Sequence, residues 1–266
     1  MCRTIVTPPV VLAVAGSDSS GGAGIQADIK SISANGCFAA TAITAITAQN
    51  TMGVRAIEPL SPAMVRAQME AVFEGDTVQA VKVGMVYDEA IVHAIVEVIA
   101  AYRPPYVVCD PVMVATSGAR LIAQPAIDAL CDELFPISTI ITPNLHEASL
   151  LMGETLVTVD DMYWAAERLS HEYGCATLIK GGHLDGDNIC DVLCADDEVC
   201  VLPSKKIDTP NLHGTGCTLS SAIAAHLAQG KALSEAVIAA RDYVNRIIRT
   251  SRTMTLGRHN GALWHF

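Results

Sequence analysis

The sequence predicts a single α/β domain built on a largely parallel sheet. Apolar runs of strand length alternate with helical patterns along the 266 residues, which is typical of a sheet covered by helices on both faces. Hydrophobic residues make up 51% of the chain and charged residues 17%, which provides enough apolar surface for one sizeable core. Because no linker, repeat or low-complexity tract interrupts the pattern, we expect one domain over residues 1–266.

Six apolar runs are predicted strands: residues 10–14, 39–46, 80–86, 106–109, 139–141 and 177–179. Ser61 followed by Pro62 predicts a helix start, because a capping side chain precedes a proline at the first helical position. Another core helix is predicted from about Leu233, where apolar residues recur at helical spacing. Two segments are predicted to be antiparallel: residues 53–57, as a cover over a site, and 189–194 with 198–202, as a hairpin.

Charge and cysteine usage exclude several classes of function. The net charge of −11 disfavours a nucleic-acid or anionic-membrane partner, since such surfaces attract basic patches. Nine cysteines without a disulfide spacing favour a reducing compartment, and the grouped Cys190, Cys194 and Cys200 lack the pairing of a zinc site. Prolines 8 and 9 interrupt the apolar N-terminal run, which disfavours a secretory signal. We therefore expect a cytoplasmic protein without a membrane span.

The most informative segment is His213-Gly214-Thr215-Gly216-Cys217, which opens a helical pattern. Unpaired N–H groups in the first turn of a helix, together with the helix dipole, can hold a phosphate. Cys217 would then lie where a reacting group belongs. The alternative is that the glycines only turn the chain and that Cys217 packs as a small apolar residue.

A second glycine loop, residues 16–24, directly follows the first predicted strand. Strand, loop and helix in this order deliver ligands to the carboxyl ends of strands in α/β proteins. Neither glycine loop continues into Gly-Lys-Ser or Gly-Lys-Thr, and neither completes the dinucleotide fingerprint. The sequence therefore predicts a nucleotide site of another kind.

With both loops placed, the chain resembles the ribokinase-like superfamily and, within it, the hydroxymethylpyrimidine/phosphomethylpyrimidine kinases of thiamine biosynthesis. Seven segments in family order carry the resemblance: residues 15–28, 48–51, 82–85, 110–113, 142–148, 180–183 and 214–217. The resemblance implies a three-layer α/β/α fold and two successive ATP-dependent phosphorylations of 4-amino-5-hydroxymethyl-2-methylpyrimidine. It also implies Mg²⁺ bound with ATP, and a homodimer.

Carried onto this sequence, the resemblance places the pyrimidine among Gly16, Asp28, Gln49, Met85 and Val112. Asp28 and Gln49 would bond the ring's amino group and nitrogens, because a donor beside an acceptor requires a carboxylate or an amide. Met85 and Val112 would supply apolar contacts. The alternatives are that Gln49 merely closes a strand and that Asp28 is solvated on a helix surface.

On the nucleotide side, the resemblance places Asn144, Glu147, Lys180 and Asp110. Asn144 and Glu147 are three residues apart and could share a helix face, with Glu147 reaching Mg²⁺ through water. Read without a ligand, the same two residues only cap that helix. Likewise, Lys180 could be a solvated lysine at a strand end, and Asp110 could cap the segment from Pro111 onward.

Cys217 departs from the wider superfamily, whose glycine loop commonly ends in an aspartate that acts as general base. A thiol at a helix N-terminus can be partly thiolate and accept a proton. We hypothesise that a mostly neutral thiol avoids repelling a substrate that already carries a phosphate. The amides of Gly214, Thr215, Gly216 and Cys217, with Lys180 and Mg²⁺, should then matter more than the base.

Two rival functions remain at this point. A pyridoxal or pyridoxine kinase of the same superfamily would share much of the site, but Gln49 favours the aminopyrimidine because a pyridine lacks the second ring nitrogen. A ligand-binding sensor without catalysis is suggested by the missing aspartate, whereas the nucleotide motifs disfavour it. No chemistry is assigned to the carboxyl end of the chain.

Overall fold

A single nine-stranded sheet runs through the molecule. The computed structural model describes residues 7–113, 122–182, 184, 188–255, 259 and 261–266. The strands are β1 (Val10–Asp18), β2 (Phe38–Asn50), β3 (Gly53–Pro59), β4 (Val78–Val83), β5 (Tyr106–Cys109), β6 (Ile140–Ile141), β7 (Ala176–Ile179), β8 (Asn188–Ala195) and β9 (Glu198–Lys205). Their order is β3-β2-β1-β4-β5-β6-β7-β8-β9. Strands β2, β1, β4, β5, β6 and β7 pair in parallel, and β3, β8 and β9 are antiparallel additions at the two edges.

Helices cover both faces of the sheet. They are α1 (Gly24–Ala34), α2 (Pro62–Gly75), α3 (Glu89–Tyr102), α4 (Gln124–Ala129), α5 (Leu145–Met152), α6 (Val159–Tyr173), α7 (Thr215–Ala228) and α8 (Leu233–Ser251). Side chains of β1 alternate between the faces: Leu12 and Val14 pack with α2, α3 and α4, whereas Val11 and Ala13 pack with α1, α7 and α8. This arrangement confirms the three-layer α/β/α prediction.

A third core lies beneath α5 and α6, against β7 and β8. Leu151 and Tyr173 contact both this core and the one beneath α2, α3 and α4, which places all five helices on the same face. The opposite face carries α1, α7 and α8. The helix that opens at the Gly-Thr-Gly-Cys segment therefore packs beside α1, which follows the first glycine loop.

Local signals account for the predicted helices. The Ser61 hydroxyl accepts from the N–H of Met64 at 3.2 Å, and Pro62 occupies the first turn of α2. Helix α8 runs from Leu233 and buries Val237, Ala240 and other apolar residues on one face. Both predicted core helices are confirmed.

Strand boundaries differ from the sequence prediction at two places that shape the site. Strand β1 continues through Gly16 to Asp18, with a register shift between Ala15 and Ser17, so the first glycine loop begins inside a strand. Strand β4 ends at Val83 rather than at residue 86, because its pairing with β1 and β5 stops there. Because β4 ends early, residues 84–86 lie beyond the last paired residue of the strand, and Met85 lies past the edge of the sheet.

The predicted antiparallel segments both lie at sheet edges. Strand β3 pairs with β2, and β8 and β9 form the predicted hairpin beside β7. Among the helices that the structure describes, none combines the length and apolar character needed to cross a membrane.

Candidate active site

The two glycine loops lie in direct backbone contact at the carboxyl edge of the parallel strands. Gly214 adopts a left-handed φ of 87°, and a side chain there would collide with the carbonyl oxygen of Gly22. Gly22 in turn packs against the ring of His213, where any Cβ would clash. Only glycine allows both contacts, which bring the start of α7 against the loop between β1 and α1.

The first turn of α7 presents backbone donors beside this contact. Gly214 caps the helix without a side-chain hydrogen bond, and the first bond of the helix runs from the N–H of Thr218 to the carbonyl of Gly214 at 2.9 Å. The helix therefore supplies no internal partner for the N–H groups of Gly216 and Cys217. Together with the helix dipole, this geometry suits the anion site that the sequence predicts.

A buried ion pair lies beside Gly216. The Lys180 ammonium is 2.7 Å from Oδ1 of Asp110, and a Cβ on Gly216 would stand 3.2 Å from that ammonium. Thr142 donates to the same carboxylate at 3.2 Å. Burial alone would raise the pKa of Asp110, but the Lys180 and Lys82 ammonium groups and the hydrogen bonds from Lys180 and Thr142 together outweigh it and lower that pKa. Lys180 is therefore a paired lysine next to the predicted anion site rather than a solvated one, and Asp110 is its partner.

Asp28 forms a second buried ion pair beneath the same helix. Its Oδ1 lies 2.8 Å from the Lys82 ammonium and accepts from the Ser221 hydroxyl of α7 at 2.8 Å. The side chains of Asp28 and Lys82 are both 0% exposed. The alternative of a solvated Asp28 is therefore wrong. The contact of Asp28 with substrate stays a prediction, and α1 turns this carboxylate inward toward β4 and α7.

Cys217 is a neutral thiol in this environment. Burial raises the pKa of its thiol to about 11, although the Lys82 ammonium opposes the shift. Desolvation outweighs the favourable charges and disfavours the partly ionised thiol that the helix N-terminus suggests. The hypothesis of a mostly neutral side chain at this position agrees with the geometry.

Asn144 and Glu147 form a reciprocal capping box at the start of α5. The Asn144 side chain accepts from the N–H of Glu147 at 3.0 Å, and Oε2 of Glu147 accepts from the N–H of Asn144 at 2.8 Å. Oε1 of Glu147 accepts from the N–H of Met113 at 3.0 Å. Both residues thus cap α5, while their part in nucleotide binding stays a prediction. Burial raises the pKa of Glu147 against the opposing Lys180 ammonium. Both residues border the Lys180–Asp110 pair.

The apolar side of the candidate site begins at Gly16. A Cβ on Gly16 would stand 3.3 Å from Sδ of Met85, so these two residues are neighbours. The Thr44 hydroxyl donates to the carbonyl of Met85 at 2.7 Å and fixes the segment after β4. Val112 follows β5 with a φ of 43°, a strained conformation for a β-branched residue. Such strain is typical of positions that a site requires.

Gln49 lies at the end of β2, over the first glycine loop. The Ser19 hydroxyl donates to the carbonyl of Gln49 at 2.7 Å and accepts from its N–H at 2.8 Å. Its side-chain nitrogen is 3.4 Å from Nε2 of His213. Gln49 therefore lies at the end of a strand, as the alternative interpretation predicts. Its side-chain amide also reaches the junction of the two glycine loops.

Sequence reasoning missed three residues that organise the site: Lys82, Asp18 and His213. Lys82 is the single charge in an apolar run, which could have indicated a buried paired lysine. Asp18 accepts from the N–H groups of Ser20 and Ala23 at 2.8 Å each, and from Nε2 of His213 at 3.0 Å. An aspartate followed by serines and glycines is a recognisable signal for such a turn.

The carboxyl end of the chain packs against the start of α7. Nε2 of His265 is 3.0 Å from the Thr218 hydroxyl, and Ala262 forms a bridge with His213. Residues 256–258 and 260 of this tail lie outside the described residues. Within the described part of the chain, no three acidic, cysteine or histidine side chains are grouped so that they could hold a metal ion.

Comparisons with known proteins agree with this geometry. The family described as phosphomethylpyrimidine kinase matches residues 18–264. A hydroxymethylpyrimidine/phosphomethylpyrimidine kinase from Rhizobium meliloti (strain 1021) is 46% identical over 258 residues, which is 97% of each chain. The crystal structure of phosphomethylpyrimidine kinase from Clostridium difficile 630 has a TM-score of 0.80 at 44% identity, covering 90% of this chain and 99% of that one.

A solved pyridoxal kinase is also similar. An ADP complex of the Bacillus subtilis pyridoxal kinase has a TM-score of 0.90 at 37% identity, covering 97% of this chain and 98% of that one. Curated relatives include bifunctional proteins of thiamine biosynthesis. These similarities confirm the ribokinase-like fold and the kinase activity, and they leave the sensor interpretation without support. The chain belongs to the phosphomethylpyrimidine kinase family.

Proposed function

We propose that both phosphorylation steps of this kinase take place in the pocket where the two glycine loops meet. The chain phosphorylates 4-amino-5-hydroxymethyl-2-methylpyrimidine with ATP, first to the monophosphate and then to the diphosphate, in thiamine biosynthesis. The observation that supports this location is the start of α7: its free N–H groups lie beside Lys180 on one side and beside the loop from Gly16 on the other. A phosphoryl group held there would face a ring bound near Gln49 and Met85.

The residues divide between the two ligands. Gly16, Gln49, Met85 and Val112 would hold the pyrimidine, and Asp28 would support them from beneath through Lys82 rather than by contact. The nucleotide would lie on the side of Asn144, Glu147, Lys180 and Asp110. The loop of Gly214, Thr215, Gly216 and Cys217 separates the two groups and would contact the transferred phosphoryl group.

The carboxylates present fit a magnesium ion that is held mainly by the nucleotide. Mg²⁺ in such sites keeps several waters and uses one or two protein carboxylates. Oδ2 of Asp110 lies 3.4 Å from the Ser220 hydroxyl and does not pair with Lys180, which contacts Oδ1. Glu147 has both oxygens engaged by backbone N–H groups, so its part would be indirect, through water. When bound, the ion would neutralise charge on the phosphates.

The chemistry needs positioning more than deprotonation. In the first step the substrate hydroxyl oxygen forms a bond to the γ-phosphorus while the bond from that phosphorus to the bridging oxygen of ADP breaks, and the hydroxyl proton passes late to an oxygen of the transferred phosphoryl group or to water. In the second step an oxygen of the substrate's phosphate attacks in the same way. The α7 N–H groups and the Lys180 ammonium stabilise the charge on the transferred group. Because the Cys217 thiol has a pKa of about 11, it acts as a neutral lining group and not as a base at neutral pH.

Two properties of the whole protein complete the proposal. The eight cysteines of the described chain, from Cys37 to Cys217, carry free thiols, which suits work in the reducing cytoplasm.

Ile46, Met52 and Val54 are exposed apolar side chains at the β2–β3 edge and offer a surface for a second copy. Light scattering should give twice the mass of the 28.0 kDa chain; a monomeric mass would contradict the homodimer.

Replacing Gln49 tests the pyrimidine side. Gln49→Leu should raise the Michaelis constant for the aminopyrimidine about tenfold or more, because the ring's donor and acceptor lose their partners. The Michaelis constant for ATP should change little. Asn50→Leu, at the neighbouring position of β2, is the matched control. Steady-state kinetics with each substrate varied in turn gives the answer, and an unchanged pyrimidine constant removes Gln49 from the site.

Replacing Cys217 tests the electrostatic hypothesis. A carboxylate about 4 Å from a phosphate adds roughly 4 kcal/mol of repulsion at an effective dielectric of 20. Cys217→Asp should therefore retain the first phosphorylation and lose up to about a thousandfold in the second. Cys217→Asn introduces a side chain of the same shape as aspartate but without the charge. This variant should retain both phosphorylation steps. Equal losses in the two steps of Cys217→Asp would reject repulsion as the cause.

The titration of Cys217 gives a pH test. Since the thiolate is the reactive form, alkylation of Cys217 by iodoacetamide should accelerate about tenfold per pH unit up to a pH of about 11. Peptide mass spectrometry separates this site from the other cysteines, and exposed Cys200 is the internal reference. A rate that levels off near pH 8 would show an ionised thiol and contradict the assignment.

A further inference from the structure

The backbone on both sides of the Lys180 Cα is held by a hydrogen bond. On one side, the N–H of Lys180 donates to the carbonyl of Pro143 at 2.9 Å, just beyond the end of β6. On the other side, the β7–β8 ladder ends where Ile179 faces Val192. Beyond that point a side chain takes the place of the ladder, because the N–H of Gly181 donates to Oδ1 of Asp191 at 2.9 Å.

These two bonds determine the direction of the Lys180 side chain. A peptide unit is planar, so the bond from the Gly181 N–H orients the plane that begins at the Cα of Lys180. The bond from the Lys180 N–H orients the preceding plane in the same way. Gly181 also has little room to shift, because a Cβ there would collide with the carbonyl oxygen of Cys190. With both planes held, the Cα–Cβ bond of Lys180 has one direction.

The Lys180 side chain leaves this backbone on the α7 face of the sheet. Leu178 packs with α7 and α8, and side chains two residues apart in a strand share a face. The Lys180 ammonium then lies 2.7 Å from Oδ1 of Asp110 and beside Gly216, in the first turn of α7. A turn of the Gly181 peptide plane would swing this long side chain and move its ammonium away from the start of α7.

Arg241 of α8 holds the Asp191 carboxylate in place. Its Nε lies 2.7 Å from Oδ2 of Asp191, and its Nη2 donates to the carbonyl of Leu202 and, at 3.0 Å, to the Ser204 hydroxyl. The side chains of Arg241 and Asp191 are only 12% and 18% exposed, so water competes little for these bonds. Since the guanidinium uses Oδ2, Oδ1 of the same carboxylate is directed to Gly181.

We propose that Asp191, held by Arg241, is a positioning residue for phosphoryl transfer: it fixes the Gly181 N–H and thereby the direction of the Lys180 side chain. The inference rests on the role of Lys180 in the proposed function. Asp191 acts through the backbone and not by contact with a ligand. Because Lys180 would face the transferred phosphoryl group in both phosphorylations, Asp191 supports both steps alike, unlike the charge at position 217.

Asp191→Leu tests the positioning role. The variant leaves the Gly181 N–H without its acceptor and should lower kcat of both phosphorylations about tenfold or more. The Michaelis constant for the aminopyrimidine should change little, because that ring would lie on the other side of α7. Asp242→Leu removes an exposed carboxylate from the neighbouring position of α8 and is the matched control. Steady-state kinetics of each step gives the answer, and unchanged kcat in Asp191→Leu would overturn the inference.

Lys180→Met separates positioning from folding and from the proposed function. Alone, it should lower kcat at least as much as Asp191→Leu does. Adding Asp191→Leu to Lys180→Met should cause little further loss, because no ammonium remains to be positioned. A second loss of similar size would show that Asp191 acts on the whole fold and would overturn the inference. If Lys180→Met leaves kcat unchanged, the proposed role of Lys180 fails; if only Asp191→Leu leaves it unchanged, the positioning role alone fails.

A rescue variant and the unaltered protein supply two further tests. Asp191→Asn combined with Arg241→Gln retains an oxygen for the Gly181 N–H and lets the two new amides pair without charge. This double variant should recover most of the kcat that Asp191→Leu loses, and no recovery would contradict the inference. In the unaltered protein, NMR hydrogen exchange should show a protected Gly181 N–H. Fast exchange at Gly181 would overturn the inference even where the variants do not fold.

Discussion

The close approach of two backbones, at Gly22 and Gly214, is the constraint on which the rest of the site depends. The carbonyl of Gly22 occupies the space that a side chain on Gly214 would need, so the loop after β1 and the start of α7 meet without intervening side chains. These segments are almost two hundred residues apart in the chain. Their contact places free N–H groups of α7 beside the loop that carries Gly16 and Asp18. A larger residue at either glycine would separate the two halves of the pocket.

Two buried ion pairs support this contact from below. Asp28 with Lys82 connects α1 to β4, and Asp110 with Lys180 connects β5 to β7. Ser221 of α7 donates to Asp28, and the Ser220 hydroxyl of α7 lies 3.4 Å from Oδ2 of Asp110, so both pairs lie against the helix that begins at the glycine loop. Buried ion pairs contribute little net stability, because desolvation offsets most of the attraction. The two ion pairs instead contribute to geometry, because they fix the distance of the α7 N-terminus from the sheet.

The fold was predictable from sequence because the spacing of apolar residues along the chain indicates which side chains are buried in each strand and helix. The alternation of Val11 and Ala13 with Leu12 and Val14 gives a strand buried on both faces, and Ser61 marks the beginning of a helix. Strand ends were less predictable, because they depend on neighbours: β4 ends at Val83 where its pairing stops. The glycine loops and Lys180 could be placed at the site from local pattern and family resemblance.

Asp28 and Cys217 show what local pattern could not provide. The position of Asp28 in an early helical turn suggested that its carboxylate contacts either solvent or substrate. Only the packing of α1 against α7 and β4 shows that the carboxylate pairs with Lys82 and accepts a hydrogen bond from Ser221. The position of Cys217 at a helix N-terminus suggested a thiolate. The favourable helix dipole can be inferred from the sequence, whereas the desolvation of the thiol depends on tertiary packing and cannot. His213 was likewise hidden, since its partners Asp18 and Gln49 belong to distant segments.

The charges around the anion site explain why an uncharged residue suits position 217. Lys82 and Lys180 are already matched by Asp28 and Asp110, and Glu147 adds another acid near Lys180. No lysine remains unpaired beneath the α7 N-terminus in the described chain to balance a further carboxylate. In the proposed site, a phosphorylated substrate would bring its own negative charge to this point, beside the phosphates of ATP. Backbone N–H groups can accept that charge only if the side chain among them is neutral, and desolvation keeps the Cys217 thiol in that state.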